Sequence, residues 1–189
     1  MTDQPTLLFA DDAAWELWLA ENYAKSDGVW LQFAKKDTGY TSVNYAQALD
    51  VALCYGWIDG QSRKFDDIYY LQKFTPRRAR SMWSQINREK VAKLLAEGRM
   101  REPGRREIDR AKADGRWDAA YPSPSDITVP DDFAAALEAN PAAKAFWETL
   151  NKTGRYPFLI QTITAKKHET RANRLAKFIA MLNEGKKLY

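Results

Sequence analysis

The spacing of apolar residues changes period along the chain, and each change marks an element. In residues 11–23, Trp15, Trp18, Leu19 and Tyr23 recur at helical spacing behind Asp11, a capping residue, which predicts a helix with one buried stripe. After Gly28, the run Val29-Trp30-Leu31-Gln32-Phe33 has the β-branched and aromatic bias of a buried strand. A turn at Asp37-Thr38-Gly39 follows. Tyr45, Ala48, Leu49, Ala52 and Leu53 then fall at i, i+3, i+4, i+7 and i+8, a core-facing helix capped by Ser42 or Asn44 and stopped at Gly56. Residues 61–65 and 68–74 flank Asp66-Asp67 as two strands of a hairpin. In the second strand Ile68, Tyr70 and Phe74 share one face, and Tyr69, Leu71 and Lys73 the other.

Beyond Ser81 the period is helical throughout. Residues 82–97 are predicted as a helix burying Trp83, Ile86, Val91, Leu94 and Leu95 and ending at Gly98. Pro103 opens a helix to about residue 114, stopped by Gly115. Tyr121-Pro122-Ser123-Pro124-Ser125 reads as a linker. Short helices open at Pro130-Asp131 and at Pro141, the second ended by Gly154, and another covers residues 156–164. The last, 168–183, turns Ala172, Leu175, Ile179 and Leu182 inward and Lys167, Arg171 and Arg174 outward. The fold class is therefore α+β: a small antiparallel sheet with covering helices in the N-terminal part and an all-helical C-terminal part. The expected domains are 1–120 and 121–189.

Composition narrows the chemistry. Among 189 residues there is one Cys and one His, so an internal disulfide is impossible and a metal site is not expected. Cys54 reads as a small core residue, and His168 as a solvated residue in the first turn of its helix. No cofactor signature appears: there is no G-x-G-x-x-G and no phosphate loop. The N-terminus has no basic leader, no apolar run is long enough to span a bilayer, and the thiol is unpartnered, so the expectation is a cytoplasmic protein without membrane insertion. The net charge of +4 conceals blocks of opposite sign: −6 over residues 1–60, +8 over 61–116, −4 over 117–154 and +6 over 155–189. Such blocks either neutralise one another internally or leave a basic groove for an anion.

Several runs carry a family resemblance. Ala48-Leu49-Asp50-Val51-Ala52-Leu53-Cys54-Tyr55-Gly56-Trp57-Ile58-Asp59-Gly60 resembles a signature of the YdeI/OmpD-associated, or bacteriocin-protection, family. Phe74-Thr75-Pro76-Arg77-Arg78 with Ser81-Met82-Trp83-Ser84 and Asn87 resembles a second block, and Gly98-Arg99-Met100 with residues 115–121 a third. Val129-Pro130-Asp131-Asp132 and the stretch around Lys166, Lys167 and Arg171 resemble the small C-terminal OmpD-associated domain. The resemblance implies a role in stress or bacteriocin protection and brings no catalytic residues with it.

The candidate ligand site is the stretch from Thr75 to Asn87. Arg77, Arg78 and Arg80 precede an expected helix start at Ser81, where unpaired N–H groups and guanidinium forks suit phosphate or carboxylate. Trp83 and Asn87 stand one turn apart on the same expected helix, and Trp57 and Asp59 follow the stop at Gly56. The alternative is that the arginines pair with Asp66, Asp67 or the acidic N-terminal block, that Trp83 and Trp57 are core, and that Asp59-Gly60 is a plain turn. Arg116-Trp117 reads as a cation–π anchor for the linker. The expected function is non-enzymatic binding of a small anionic ligand or a protein partner. Nucleic-acid binding through segments 61–116 and 155–189, and an enzyme with Asp59 as base, are the alternatives.

Overall fold

The computed structural model describes residues 4–188. Asp11 accepts the Ala14 N–H at 2.8 Å and so starts α1 (Asp12–Asn22), which buries Trp15 and Leu19. Asn44 starts α2 (Tyr45–Cys54) through a reciprocal capping box with Gln47. Gly56, at φ 73°, makes the left-handed stop after α2 and lets the chain enter β3 (Trp57–Lys64) at once. With β1 (Thr6–Leu7), β2 (Val29–Ala34) and β4 (Tyr69–Pro76) this forms one four-stranded sheet, ordered β1-β2-β4-β3. The three longer strands pair antiparallel, and the two-residue β1 adds a parallel edge beside β2.

The remaining helices are α3 (Gln85–Ala96), α4 (Glu102–Ala113), α5 (Asp131–Glu138), α6 (Pro141–Thr149), α7 (Lys152–Ile163) and α8 (His168–Asn183). Helix takes up 49% of the described chain against one small sheet, so the class is α+β with the strands confined to the N-terminal part. The chain divides into two compact units: residues up to 83 with 87–119, and residues 84–86 with those from 120 on.

Aromatic packing supplies the core of the first unit. Trp15 stacks on Trp18 at 5.3 Å, and the edge of Trp57 meets both at 6.3 and 6.0 Å, with Phe74 of β4 5.9 Å from Trp15. Each buried indole N–H of this group finds a carbonyl: Trp15 donates to Ala48 and Trp57 to Tyr23, both at 3.1 Å. The second unit has its own core, in which Phe133, Trp147, Phe158 and Phe178 meet in successive tilted and edge-on pairs.

Several local expectations are corrected. Asp59-Gly60 is no turn but lies inside β3, with Asp59 opposite Phe74 and a bulge between Asp59 and Ser62. α3 begins at Gln85 rather than near Ser81, because Ser84 pairs with Tyr121 in a parallel bridge just before it. Ile86, expected in the core, is therefore exposed. Within Tyr121-Pro122-Ser123-Pro124-Ser125, which carries no helix, the Ser123 hydroxyl is buried against Ser125 and the Asp126 carboxylate. Gly154 does not end α6 but sits in the first turn of α7, donating its N–H to Asn151. In α8 the apolar face is Phe178, Ile179 and Leu182, while Ala172 is exposed and Arg171 turns back to grip Asp132 in a two-pronged ion pair.

α2 and α4 approach each other closely at Gly104. Gly104 lies against the last carbonyls of α2, and a Cβ there would press into Cys54 O and stand 2.7 Å from Leu53 O. Alanine at this helical position would gain roughly 1 kcal/mol of propensity. The crowding against rigid backbone outweighs that gain at about 1–3 kcal/mol. Gly104→Ala is therefore expected to lower the melting temperature of the N-terminal unit by several degrees in a circular-dichroism melt. A raised melting temperature would show that the two helices do not pack this closely.

Candidate functional site

Three elements end at one place in the first unit. The register pairs Trp57, the first residue of β3, with Pro76, the last of β4. The next residue, Arg77, donates its backbone N–H to the Gly56 carbonyl at 2.9 Å, which fixes the strand exit against the stop after α2. α4 lies alongside because Gly104, Ile108 and Ala111 make its buried face. Its other face therefore carries Pro103, Arg106, Glu107 and Arg110 outward over the same spot. Together they enclose a cleft of about 280 Å³, closed on its apolar side by Tyr23, Tyr55 and Trp57.

Arg77 is the buried charge of this cleft, only 6% exposed. Its guanidinium lies flat over the Trp83 ring, 3.6 Å from the centroid, and donates to the Met82 carbonyl at 3.3 Å. Trp83 in turn meets Trp117 edge-on at 4.9 Å, and Arg116, also buried, donates to the Ser81 carbonyl at 2.7 Å while gripping Asp114. The Ser81 and Met82 carbonyls are thus taken up by two arginines, and no helix starts there. The Trp83 indole N–H and one Arg116 Nη have no hydrogen-bond acceptor among the described residues.

The α4 arginines differ in how firmly they are held. Arg106 faces Glu102, one turn back, at 3.2 Å with both side chains mostly in water, a pair worth about 0–1 kcal/mol. Arg110 is held at 2.9 Å by Glu107, whose own side chain is largely covered. The residues lining the cleft thus include three arginines and one glutamate. A second cleft of about 370 Å³ adjoins it across Pro76 and Arg77 and is lined by Lys73, Thr75 and Arg78 together with Gln4 and Asp27.

Of the residues expected from sequence, Trp57 and Arg77 meet in the first cleft, and Arg78 stands in the second. Trp83 supports Arg77 from behind. Arg80 is exposed, and Ser81 serves the local turn by accepting the Arg78 N–H. Asn87 is buried in α3 and is among the lining residues of neither cleft. Asp59 accepts the Tyr45 hydroxyl at 2.8 Å, also outside both linings. Arg116 does not stack on its neighbour; Arg88 and Lys112 lie over Trp117 instead. Asp66 is occupied by the Ile68 and Tyr69 N–H groups of its turn, and the acidic N-terminal block is matched by Glu16 with Arg101 and Asp50 with Lys90.

Sequence reading missed Tyr23, Tyr55, Arg106 and Arg110. The available signal was the i, i+4 spacing of Arg106 and Arg110 opposite an apolar face starting at Gly104. Among the described residues no group of three or more His, Cys, Asp or Glu is placed to hold a metal ion, and no helix is long and apolar enough to cross a membrane.

Residues 7–107 match the family model described as a domain of unknown function (DUF8412). Residues 126–185 match the model described as Bacteriocin-protection, YdeI or OmpD-Associated. The cleft falls almost wholly within the first match, Arg110 lying just beyond it. No curated protein and no solved structure matches the chain.

Cys54 lies two residues before Gly56 but is buried, and desolvation pushes its thiol up to about 11, outweighing the opposite pull of Arg99. Thiolate is the reactive form, so at pH 8 the folded protein holds it almost entirely protonated. Iodoacetamide at pH 8, followed by mass spectrometry, is expected to leave Cys54 unmodified in the folded chain and to label it after denaturation. Prompt labelling of the folded protein would contradict the buried placement.

Proposed function

The chain belongs to the family of this domain of unknown function and carries a YdeI/OmpD-associated domain, and from that premise we propose that it is a non-enzymatic binding protein for a small anion. The ligand sits in the cleft of Arg77, Arg106 and Arg110. One observation carries the reading: two exposed arginines of α4, Arg106 and Arg110, line a cleft whose wall also includes Arg77, a buried arginine set on an aromatic face. Guanidinium forks suit carboxylate and phosphate oxygens, and a partly desolvated site strengthens each contact. Arg106 can leave Glu102 for an anion at little cost, because an exposed pair one turn apart contributes little. The stress or bacteriocin-protection role associated with the C-terminal domain would then act through capture of that anion, in a cytoplasmic protein.

The binding reading stands ahead of the others for specific reasons. Lys90, Arg101 and Arg171, members of the basic segments, are each tied to a carboxylate, which subtracts them from a nucleic-acid surface. Asp59 is engaged by Tyr45 and lies outside the linings of both clefts.

Calorimetric or NMR titration with inorganic phosphate tests the proposal. A charge-assisted hydrogen bond contributes on the order of 1.5–3 kcal/mol. Arg106→Gln with Arg110→Gln is therefore expected to weaken binding at least about tenfold while the melting temperature holds, since both side chains are exposed. Lys73→Gln with Arg78→Gln, which alters only the adjoining cleft, is expected to change it little. Absence of phosphate binding, or binding indifferent to the α4 pair, would overturn the proposal.

A further inference from the structure

We propose that a third cleft of the first unit, walled by the segment 33–45 and Tyr70, binds an uncharged sugar, a single pyranose ring. Its lining shares no residue with the arginine cleft, so the inference does not depend on the anion reading.

The cleft is built before any ligand arrives. The chain leaves β2 at Ala34 and reaches α2 through a loop that reverses at Asp37, φ 64°, and Gly39, φ 76°. The Ala34 N–H donates to the Ser42 hydroxyl at 2.9 Å, the Thr38 hydroxyl to the Lys35 carbonyl at 2.8 Å, and the Val43 N–H to the Phe9 carbonyl at 2.9 Å. A loop tied at both ends and across its turn loses little freedom when a ligand settles against it. The cleft it walls measures about 330 Å³. That lies at the small end of the usual range of roughly 300–1,000 Å³ for ligand sites, which suits one ring.

The lining combines open aromatic surface with a mixed polar rim. Buried Phe33 carries Tyr70 stacked on it at 5.4 Å and meets Tyr45 edge-on at 6.4 Å. Tyr40 and Tyr45 keep 56% and 38% of their surface exposed, and Tyr40 leans on Tyr69, outside the lining, at 6.1 Å. A pyranose presents a patch of C–H groups, weakly positive at hydrogen, which the negative face of an aromatic ring attracts. Its hydroxyls each donate and accept, and the exposed side chains of Lys36, Asp37 and Thr41 offer both kinds of partner. Charge argues against an ion. Lys35 turns its ammonium to the Asp66 carbonyl, and neighbouring Lys36 and Asp37 carry opposite signs. Tyrosines alone would also suit an organic ammonium, but two lysines in the lining oppose one.

The test is an amide NMR titration of the whole chain with methyl β-D-glucopyranoside, methyl β-D-galactopyranoside and methyl α-D-mannopyranoside, with tetramethylammonium and acetate as charged comparisons. At least one glycoside is expected to shift the amides of residues 36–45 saturably, and neither ion to do so at the same concentration. Tyr40→Leu, at a mostly exposed position, is expected to weaken that glycoside at least about threefold, the worth of one ring contact. Tyr40→Phe keeps the ring and is expected to retain the binding, and Arg106→Gln with Arg110→Gln to leave it unchanged. The inference is overturned if none of the three glycosides binds, if either ion saturates these amides instead, or if binding survives Tyr40→Leu or is lost in Tyr40→Phe. Loss in the α4 double variant would also overturn it, by moving the sugar to the arginine cleft.

Discussion

A guanidinium taken out of water needs fixed partners on its faces and edges, and the N-terminal unit is arranged around one such group. Arg77 has the Trp83 ring under one face and the Met82 carbonyl at an edge, while its backbone is tied to Gly56. Those contacts bind the exit of β4, the stop after α2 and residues 81–83 into one piece. Removing water from a charge costs several kcal/mol unless such partners stand ready. Arg77 Nε and Nη2 carry no exposed surface, so this group holds the cleft wall in place while the exposed guanidinium groups beside the cleft belong to Arg106 and Arg110 of α4.

The rest of the unit serves to hold this arrangement. Trp15, Trp18, Trp57 and Phe74 interlock across α1, β3 and β4, and the indole N–H groups of Trp15 and Trp57 reach backbone carbonyls of α2 and of the residue closing α1. α2 and α4 approach so closely at Gly104 that the arginine-bearing face of α4 has one place to go. The high share of aromatics in the sequence is thus mostly structural: it sets the walls of a cleft and leaves Tyr23 and Tyr55 facing it.

Elements governed by local rules were legible in the chain. The caps Asp11 and Asn44, the stop at Gly56 and the apolar spacing of α2 lie where neighbours in sequence decide them. What depends on partners far along the chain was not legible. The late start of α3 comes from Ser84 meeting Tyr121 and from Arg77 and Arg116 holding the carbonyls before it. β1 has only two residues and exists by pairing with β2. Of the candidate site, Arg77 and Trp57 could be singled out because they flank the ends of predicted elements. Arg106 and Arg110 looked like the solvated side of a polar helix, and only the packing of Gly104 against α2 turns that side toward a cleft.

The central claim is that Arg77, Arg106 and Arg110 form one anion site beside Trp57. Side-chain ¹⁵N NMR during a titration with inorganic phosphate addresses it directly. The account predicts that the Nε–H signals of these three arginines and the Trp57 indole N–H shift together and saturate at one common affinity. Arg155 and Arg171 of the C-terminal unit should stay unmoved. Shifts that begin at Arg155 or Arg171, or that spread over all arginines without saturating, would contradict it.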